Sequence, residues 1–502
     1  MVSYRGEISS SPLIPQQVAV CLSSQFGIMA RFTRRHLLSA SLGLPALLLT
    51  CGPSDEASVK PSVPQVSQAL VSPEPIEDVP RDVPSPVASP VSKEPVELWL
   101  FTWDDPTERR LWFNVRSQLE ADLPHIRLRQ EFYQRPVEET IAASAAAGLP
   151  PDVGLIQDMN FPHWLERNLF VNVQAFVNNS LGDDYATDKS PAALRAFRYY
   201  PEAKRLGIGD FYSLPWRSNP RHLFVNVGML REYGSTVLTA RNRWTIDTVH
   251  DAARSLARGS PEVLKDRAII GIPNSWFQSL PWLWSGAGDL VDGDSSVTAI
   301  ASPEVATTYQ KLRDWRHSLH PTPQTGNASS DTYAHQFATQ RLAMFLGSAG
   351  DMHRLQAADV TWQSRPLFPV GEGASQTLAT YEGLAVATGA QQLDTAWEFV
   401  TWAMRPEVQK LLLDGGSSLP ILGSAIASSQ LETHYINTLL DGIHSQRSLP
   451  IDATFPLYSP VIAHYYQLMM NGEHDSIPDT LRRLHSHLEF ILEQRTLPVE
   501  WQ

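Results

Sequence analysis

The chain has 502 residues, of which 43% are hydrophobic, 19% charged and 9% aromatic. At about 150 residues per domain, this length has room for roughly three domain-sized units, and the composition excludes a wholly disordered or collagen-like chain. The formal net charge of −13 repels polyanions, so no nucleic-acid partner is expected. Two cysteines cannot form a disulfide framework for a chain of this size, and no Cys/His spacing indicates a zinc site.

Residues 1–50 have the pattern of an export signal. Arg34 and Arg35 precede an apolar run of 13 residues, 37–49, which is shorter than the about 20 residues that cross a hydrocarbon core. The run therefore predicts a signal peptide, with a second possible start at Met29. The four residues that end in Cys51 (LLTC) resemble a bacterial lipobox, and the arginine pair resembles a twin-arginine signal. We expect Cys51 to carry a lipid; twin-arginine and general secretion both stay open as the export route.

A proline-rich tether follows, and with the lipidated cysteine it makes up residues 51–95. Ten prolines occur in the 44 residues from Gly52 to Pro95. Each proline fixes φ and removes a backbone donor, so this stretch cannot join a helix or a sheet interior. The pattern predicts an extended spacer between the lipid and a folded body.

Strand and helix patterns alternate from Val96 onward. Residues 96–101 are a short apolar run suited to a buried strand, and residues 126–132 alternate as a half-exposed strand does. A helix is predicted from about Pro136 to Ala147, followed by a strand at 153–156.

Three further helices have clear start signals. Thr245 is expected to cap one, Ser302 before Pro303 another, and Asp394 opens a third that Pro406 interrupts. This alternation over about 400 residues predicts an α/β fold with mainly parallel sheets in more than one unit.

The common catalytic and phosphate-binding motifs are absent from the sequence, and we expect no catalytic residue, no metal and no cofactor. The chain has 14 tryptophans, several of them next to predicted strand ends or turns, such as Trp103, Trp216 and Trp276. A flat apolar ring with a hydrogen-bonding edge suits the C–H face of a sugar. Core packing is the competing interpretation for each tryptophan.

Several short segments together resemble a known family. In chain order these segments are AAAGLPPDV (145–153), YSLPW (212–216), RHLFVN (221–226), WSGAGD (284–289), residues 337–344, YEGLA (381–385), AWEF (396–399) and PEVQ (406–409). From about residue 96 to 494 the chain resembles bacterial extracellular solute-binding proteins of family 1, the carbohydrate-binding group that includes maltose-binding protein.

The resemblance implies a two-lobed periplasmic-binding-protein-like fold of type II, with crossover hinge strands and a ligand between the lobes. The expected N-terminal lobe is 96–222 plus 384–440, and the expected C-terminal lobe is 223–383 plus 441–502. The crossings should fall near 221–224, 379–383 and 436–445.

The resemblance also implies ligand contacts. They are Trp103, Asp104, Asp158, Trp216, Arg217, Ser218, Trp276, Phe277, Tyr381 and Glu382. Two of these have structural alternatives: Asp158 as a helix cap, and Glu382 as the partner of a hinge arginine such as Arg221.

The favoured hypothesis is a lipid-anchored, monomeric receptor that binds a sugar or oligosaccharide and delivers it to the permease of an ABC-type importer. It would lie at the periplasmic or cell-surface face of a bacterial inner or plasma membrane. One alternative is a receptor for a glycerophosphodiester or other polyol or anionic solute, with Arg217 and Arg221 as clamps. Another is a secreted glycan hydrolase.

Overall fold

Residues from Ser92 onward form one compact unit in the computed structural model. The structure describes residues 95–501 except 135, 182, 233–242, 260–266, 291–296, 320–329, 357, 416–417, 432, 450, 473–475 and 499–500. The predicted export signal, Cys51 and the predicted tether lie outside the described residues. Across the part of the chain that the structure describes, no helix is both long and apolar enough to span a membrane.

The described residues contain thirteen strands. They are β1 (Val96–Trp103), β2 (Ile126–Tyr133), β3 (Val153–Gln157), β4 (Arg198–Tyr200), β5 (Arg205–Leu206), β6 (Asp210–Phe211), β7 (Leu214–Asn226), β8 (Ala268–Gly271), β9 (Leu342–Ser348), β10 (Trp362–Arg365), β11 (Thr377–Val386), β12 (Leu419–Pro420) and β13 (Gln446–Arg447).

Seventeen α-helices lie in the same described ranges. They are α1 (Pro106–Asp122), α2 (Val137–Ala146), α3 (Phe161–Leu165), α4 (Gln174–Ser180), α5 (Pro191–Ala196), α6 (Val227–Glu232), α7 (Ile246–Gly259), α8 (Leu280–Ser285), α9 (Pro303–Ser318), α10 (Ser330–Ala338), α11 (Ala349–Gln356), α12 (Leu393–Ala403), α13 (Pro406–Gly415), α14 (Gly423–Ala427), α15 (Thr433–His444), α16 (Phe455–Asn471) and α17 (Ile477–Gln494). Short 3-10 helices include Asp158–Asn160 and Phe277–Ser279.

The predicted elements are confirmed to within a few residues. Thr245 caps α7, because its hydroxyl accepts a hydrogen bond from the Thr248 amide at 3.2 Å. Ser302 caps α9 in the same way, with the Val305 amide as donor at 3.3 Å. The α/β class is confirmed as well, since helices and strands alternate along the body.

One large sheet runs through the body, in the order β2-β1-β3-β11-β7-β9-β8. Parallel pairs build its two ends, β2-β1-β3 on one side and β9-β8 on the other. The long strands β7 and β11 lie between these ends, and within this order each is antiparallel to its neighbours. The first part of β7 pairs with β11 and the second part with β9, so β7 joins the two ends of the sheet.

Buried side chains form three clusters around this sheet. The first core draws on residues between 98 and 216 and between 379 and 425. The second core draws on residues between 223 and 378 and between 449 and 491. A third, smaller core contains Phe224 and Phe345 of the sheet together with Leu419 and Ile443. The chain therefore leaves the first core along β7 and returns to it along β11.

Two of the predicted crossings coincide with β7 and β11. Residues 436–444 are helical instead, within α15, and the strand β13 comes just after them. β13 pairs in parallel with the start of β11, at Thr377↔Gln446 and Leu378↔Arg447. β13 is thus a third segment in the region where β7 and β11 connect the first and second cores.

A β-bulge interrupts the pairing of β7 with β11. Glu382 pairs with Arg217 and Gly383 with Pro215, so Trp216 is an extra residue on β7. A bulge bends its strand and changes the direction of the following side chains. The bulge also brings Gly383 very close to its neighbours, because a Cβ on Gly383 would lie 2.5 Å from Ser213 Oγ.

We predict that Gly383→Ala lowers the free energy of unfolding by about 1–3 kcal/mol, because the added methyl overpacks the bulge. Besides Ser213 Oγ, that methyl would meet the Phe197 ring at 2.9 Å. Urea denaturation measures the loss. In the double variant Ser213→Ala/Gly383→Ala the closest atom is removed, and part of the loss should be recovered. An unchanged midpoint for Gly383→Ala would contradict this account of the bulge.

Candidate functional site

Five of the predicted ligand contacts come together where β3, β7 and β11 adjoin. Asp158 directly follows β3, and β11 pairs with the end of β3 at Glu382↔Gln157. On its other side β11 pairs with β7, with Tyr381 opposite Ser218 and Glu382 opposite Arg217. The carboxyl end of β3 therefore lies beside the paired strands β7 and β11.

Four ionisable groups form a buried charge cluster at this place: Glu108, Asp158, Arg217 and Glu382. The Arg217 side chain is 1% exposed and lies between two carboxylates. Its Nη2 is 2.9 Å from Glu108 Oε1 in the first turn of α1, and its Nε donates to Glu382 Oε2. Glu382 thus pairs with a hinge-strand arginine, as one alternative expected, and that arginine is Arg217.

The charge of Arg217 is balanced inside the cluster. Burial by itself would lower the pKa of this guanidinium, but the charges of Glu108 and Glu382 raise it. Both carboxylates are mostly buried, with side chains 4% and 13% exposed. A buried guanidinium held by two carboxylates has no net positive charge left to attract an anion.

Asp158 is the carboxyl of the cluster that has no cationic partner at hydrogen-bonding distance among the described residues. Burial raises its pKa to about 8, and the charge of Glu382 adds to the rise, while the backbone amide of Tyr381 acts in the opposite direction. Its Oδ1 is buried without a hydrogen-bond partner in the described part of the chain. The Asp158 carboxyl is therefore protonated at neutral pH.

The bulge turns Trp216 and Arg217 toward the same helix, α1. Arg217 contacts Glu108, whereas the Trp216 ring lies 4.8 Å from the ring of Trp112, at an interplanar angle of 31°. Both tryptophans are fully buried. Within the described ranges, no acceptor is within hydrogen-bonding distance of the Nε1 atoms of Trp112 and Trp216 or of Arg217 Nη1. Buried N–H groups without partners are costly, at about 1–3 kcal/mol each.

Ser218 and Tyr381 both hydrogen-bond Gln446, a residue that the sequence did not suggest. Gln446 Nε2 donates to Ser218 Oγ at 2.8 Å, and the Tyr381 hydroxyl donates to Gln446 Oε1 at 3.1 Å. Both predicted contacts are at most 2% exposed. Burial, together with the charge of Asp158, raises the pKa of Tyr381 well above its usual value, so its hydroxyl stays a donor.

Four further predicted contacts lie on other elements. Trp103 belongs to the first core, and Asp104 accepts a hydrogen bond from Arg109 Nε at 2.7 Å. Trp276 is buried in the second core, and Phe277, beside it, is partly exposed. Met159, in the turn after β3, also packs against the second core, as Phe277 does.

Sequence reasoning missed Glu108, Trp112 and Gln446. Glu108 had a detectable signal, because it lies in the first turn of a helix that begins directly after a predicted strand. Trp112 follows it by one helical turn on the same face. Gln446 had no signal, since its role depends on contacts with residues 228 and 65 positions away along the chain.

No group of three or more His, Cys, Asp or Glu side chains among the described residues could hold a metal ion. The site instead contains buried acids, tryptophan N–H groups and one arginine that is paired with two carboxylates. Such a set can hydrogen-bond a polar solute, and it is bordered by aromatic rings.

Residues 130–410, more than half of the chain, match the model of the bacterial extracellular solute-binding protein family. The chain belongs to this family. The family is a substrate-binding, non-catalytic one, and its extracellular character implies a periplasmic or cell-surface location. Among curated proteins, none matches the chain.

The fold of this solute-binding protein is that of several solved structures. An ABC substrate-binding protein from Listeria monocytogenes, in complex with cycloalternan, is 15% identical over 80% of this chain and 100% of its own, with a TM-score of 0.65. The sugar-binding protein MalE from Xanthomonas citri is 17% identical over 80% and 98%, with a TM-score of 0.67. UgpB from Mycobacterium tuberculosis, in complex with glycerophosphocholine, is 16% identical over 80% and 100%, with a TM-score of 0.64. These likenesses confirm the two-lobed periplasmic-binding-protein fold.

We predict that Asp158 makes the solute-binding protein less stable as the pH rises. In the unfolded chain this carboxyl has a pKa of about 3.9, so folding takes up a proton between about pH 4 and pH 8. The free energy of unfolding therefore falls over this interval, by up to about 1.4 kcal/mol per pH unit. Asp158→Asn should remove this fall, as measured by urea denaturation at pH 5 and pH 7.5.

Asp479→Asn is the matched control. Asp479 lies on the protein surface, and its hydrogen bond with Ser476 lowers its pKa, so it is ionised throughout this interval. The control should keep the pH dependence of the natural protein. An equal pH dependence in Asp158→Asn and the natural protein would show that Asp158 is ionised in the folded protein as well, and would contradict the raised pKa.

Proposed function

We propose that the protein is the substrate-binding lipoprotein of an ABC-type importer, which captures a sugar or oligosaccharide between two lobes and delivers it to the membrane permease. Family membership supports the binding role. Proteins of the same fold are described in complex with cycloalternan and with glycerophosphocholine, which leaves two chemical classes of solute to separate.

The two cores support the proposed lobes. The first core lies within residues 96–222 and 384–440 for most of its members, and the second within 223–383 and 441–502. Strands β7 and β11 run between them and would act as the hinge. A solute that contacts both lobes would then shift the population toward a closed form, which the permease recognises.

The pairing of Arg217 with Glu108 and Glu382 is the observation that favours a neutral sugar over an anion. A phosphodiester receptor needs a cation whose charge is free to face the phosphate. The second predicted clamp, Arg221, is also near a carboxylate, since its charge lowers the pKa that burial would otherwise give Asp351. Arg217 is therefore paired with two carboxylates, and Arg221 lies near a third.

The unpaired groups at the cluster also suit hydroxyls. The Nε1 atoms of Trp112 and Trp216 and the Nη1 of Arg217 are donors, and Oδ1 of Asp158 is available to a partner. A sugar hydroxyl can accept from one such group and donate to another. Mixed donors and acceptors thus match a neutral polyhydroxylated solute.

Among the predicted contacts, we propose that Asp104, Asp158, Trp216, Arg217, Phe277 and Glu382 touch the solute. Phe277 is the proposed aromatic contact whose side chain is partly exposed, so its ring can stack on a sugar face. Trp103 and Trp276 would pack behind these residues. Trp216 is equally buried and would reach the solute only through its indole Nε1, which has no hydrogen-bond partner in the described part of the chain.

A thermal-shift screen of the full-length chain with maltose, maltotriose, trehalose and glycerophosphocholine tests the solute class. A ligand that binds the native state raises stability by mass action, so we expect a neutral sugar to raise the melting temperature and glycerophosphocholine to have a smaller effect. Calorimetric titration should then show at least about tenfold weaker sugar binding for Phe277→Ala, because a stacking face is lost.

Phe490→Ala is the control for this titration, because Phe490 is a surface phenylalanine of α17, 41% exposed. Its sugar affinity should be unchanged, and the sugar should be recovered intact from the binding mixture, as expected of a receptor without hydrolase activity. Stronger stabilisation by glycerophosphocholine than by every sugar would reverse the assignment of solute class. Equal affinities of the two phenylalanine variants would remove Phe277 from the site.

We also propose that the N-terminus is exported and lipidated at Cys51. The lipobox-like sequence and the proline-rich residues that follow support this anchor. Cys51→Ala should move the protein from the membrane fraction to the soluble fraction of a bacterial host, as followed by cell fractionation. Cys21→Ala is the matched control and should stay in the membrane fraction; release of both variants, or of neither, would contradict lipidation at Cys51.

A further inference from the structure

Three chain segments meet through one side-chain amide. Ser218 belongs to β7, Tyr381 to β11 and Gln446 to β13, and the Gln446 amide bonds both of the others, at 2.8 Å and 3.1 Å. These are the strands that link the region of the first core to the region of the second. The contact therefore joins all three connecting strands at one point.

Backbone pairing alone does not make this connection. β13 pairs with the start of β11 through Thr377↔Gln446, and the Thr377 amide also donates to the Ser445 carbonyl at 2.8 Å. β7 pairs with β11, β9, β10 and β12 in the described residues, but not with β13. The bond from Gln446 to Ser218 is thus a direct link between β13 and β7.

The chemistry of the link requires a group that donates and accepts. The Gln446 amide nitrogen donates to a serine hydroxyl, while the amide oxygen accepts from a tyrosine hydroxyl. A leucine of similar size could make neither bond, and would leave the buried Tyr381 hydroxyl without this acceptor. The backbone amide of Tyr381 also donates to Asp158, so the link adjoins the buried charge cluster.

We propose that Ser218, Tyr381 and Gln446 form a hinge clamp, whose hydrogen bonds set the equilibrium between the arrangements of the two lobes. The inference rests on the proposed function, since it assumes lobes that rotate about β7 and β11. Gln446 is then a positioning residue: it changes solute affinity through the population of the binding-competent form. Ser218 and Tyr381 act on affinity through the hinge clamp rather than by touching the solute.

The test compares Gln446→Leu with Gln409→Leu in the full-length chain. Gln409 is a fully buried glutamine that makes two hydrogen bonds within α13 and its neighbours, to the Ala403 carbonyl at 3.2 Å and from the Ile421 amide at 3.0 Å. It lies outside the connecting strands. Both variants lose buried hydrogen bonds, but only one of them loses a bond between connecting strands.

Pulsed electron–electron resonance measures the separation of the lobes without any solute. Spin labels are placed at Phe113→Cys on α1 and Phe490→Cys on α17, two exposed sites beside different cores, in a background with Cys21 and Cys51 replaced by serine. We expect Gln446→Leu to broaden or shift the distance distribution. Gln409→Leu should lower the melting temperature yet keep the distribution of the unchanged chain.

Affinity provides the second measurement, with maltotriose as the probe. Gln446→Leu should weaken its binding about tenfold, because a smaller fraction of the molecules is in the binding-competent form, and Gln409→Leu should not. An unchanged distance distribution in Gln446→Leu, or the same change in both variants, overturns the hinge clamp. Failure of every sugar to bind overturns the proposed function instead, and the distances measured without solute still decide the inference.

Discussion

The burial of one guanidinium constrains the rest of the site. Arg217 is 1% exposed, and a charge so far from water is tolerated only when opposite charges hold it. Its partners come from α1 and from β11, so the pairings with Glu108 and Glu382 fix the positions of a helix and two strands relative to one another. Removing both carboxylates would leave an uncompensated buried charge, at a cost of about 3–5 kcal/mol, whereas removing one still leaves Arg217 with a partner.

The pairing of Arg217 with two carboxylates also sets the charge at the proposed solute site. Arg217 is neutralised, and the charge of Glu382 together with burial keeps the proton on Asp158. What is left for a solute is a set of neutral donors and acceptors next to aromatic rings. This combination suits a molecule with many hydroxyl groups and gives an anion little attraction.

The sheet places the proposed site next to the proposed hinge. β7 pairs with β11 in its first part and with β9 in its second, and the bulge at Trp216 lies in the first part. Rigid pairing on each side confines any rotation to the few residues near position 220, where β7 changes partners. The charge cluster and the Gln446 amide lie beside this point, so the proposed hinge and the proposed site are neighbours in the fold.

The sequence by itself determined the secondary structure elements and the family, because these depend on local patterns such as alternation, helix caps and short ordered motifs. It also selected Asp158, Arg217, Tyr381 and Glu382, which the structure brings together. Only the tertiary structure decided that Glu382 pairs with Arg217, since a one-residue bulge sets which side chains face α1. It alone revealed Gln446, because contacts over 65 and 228 positions leave no local trace in a sequence.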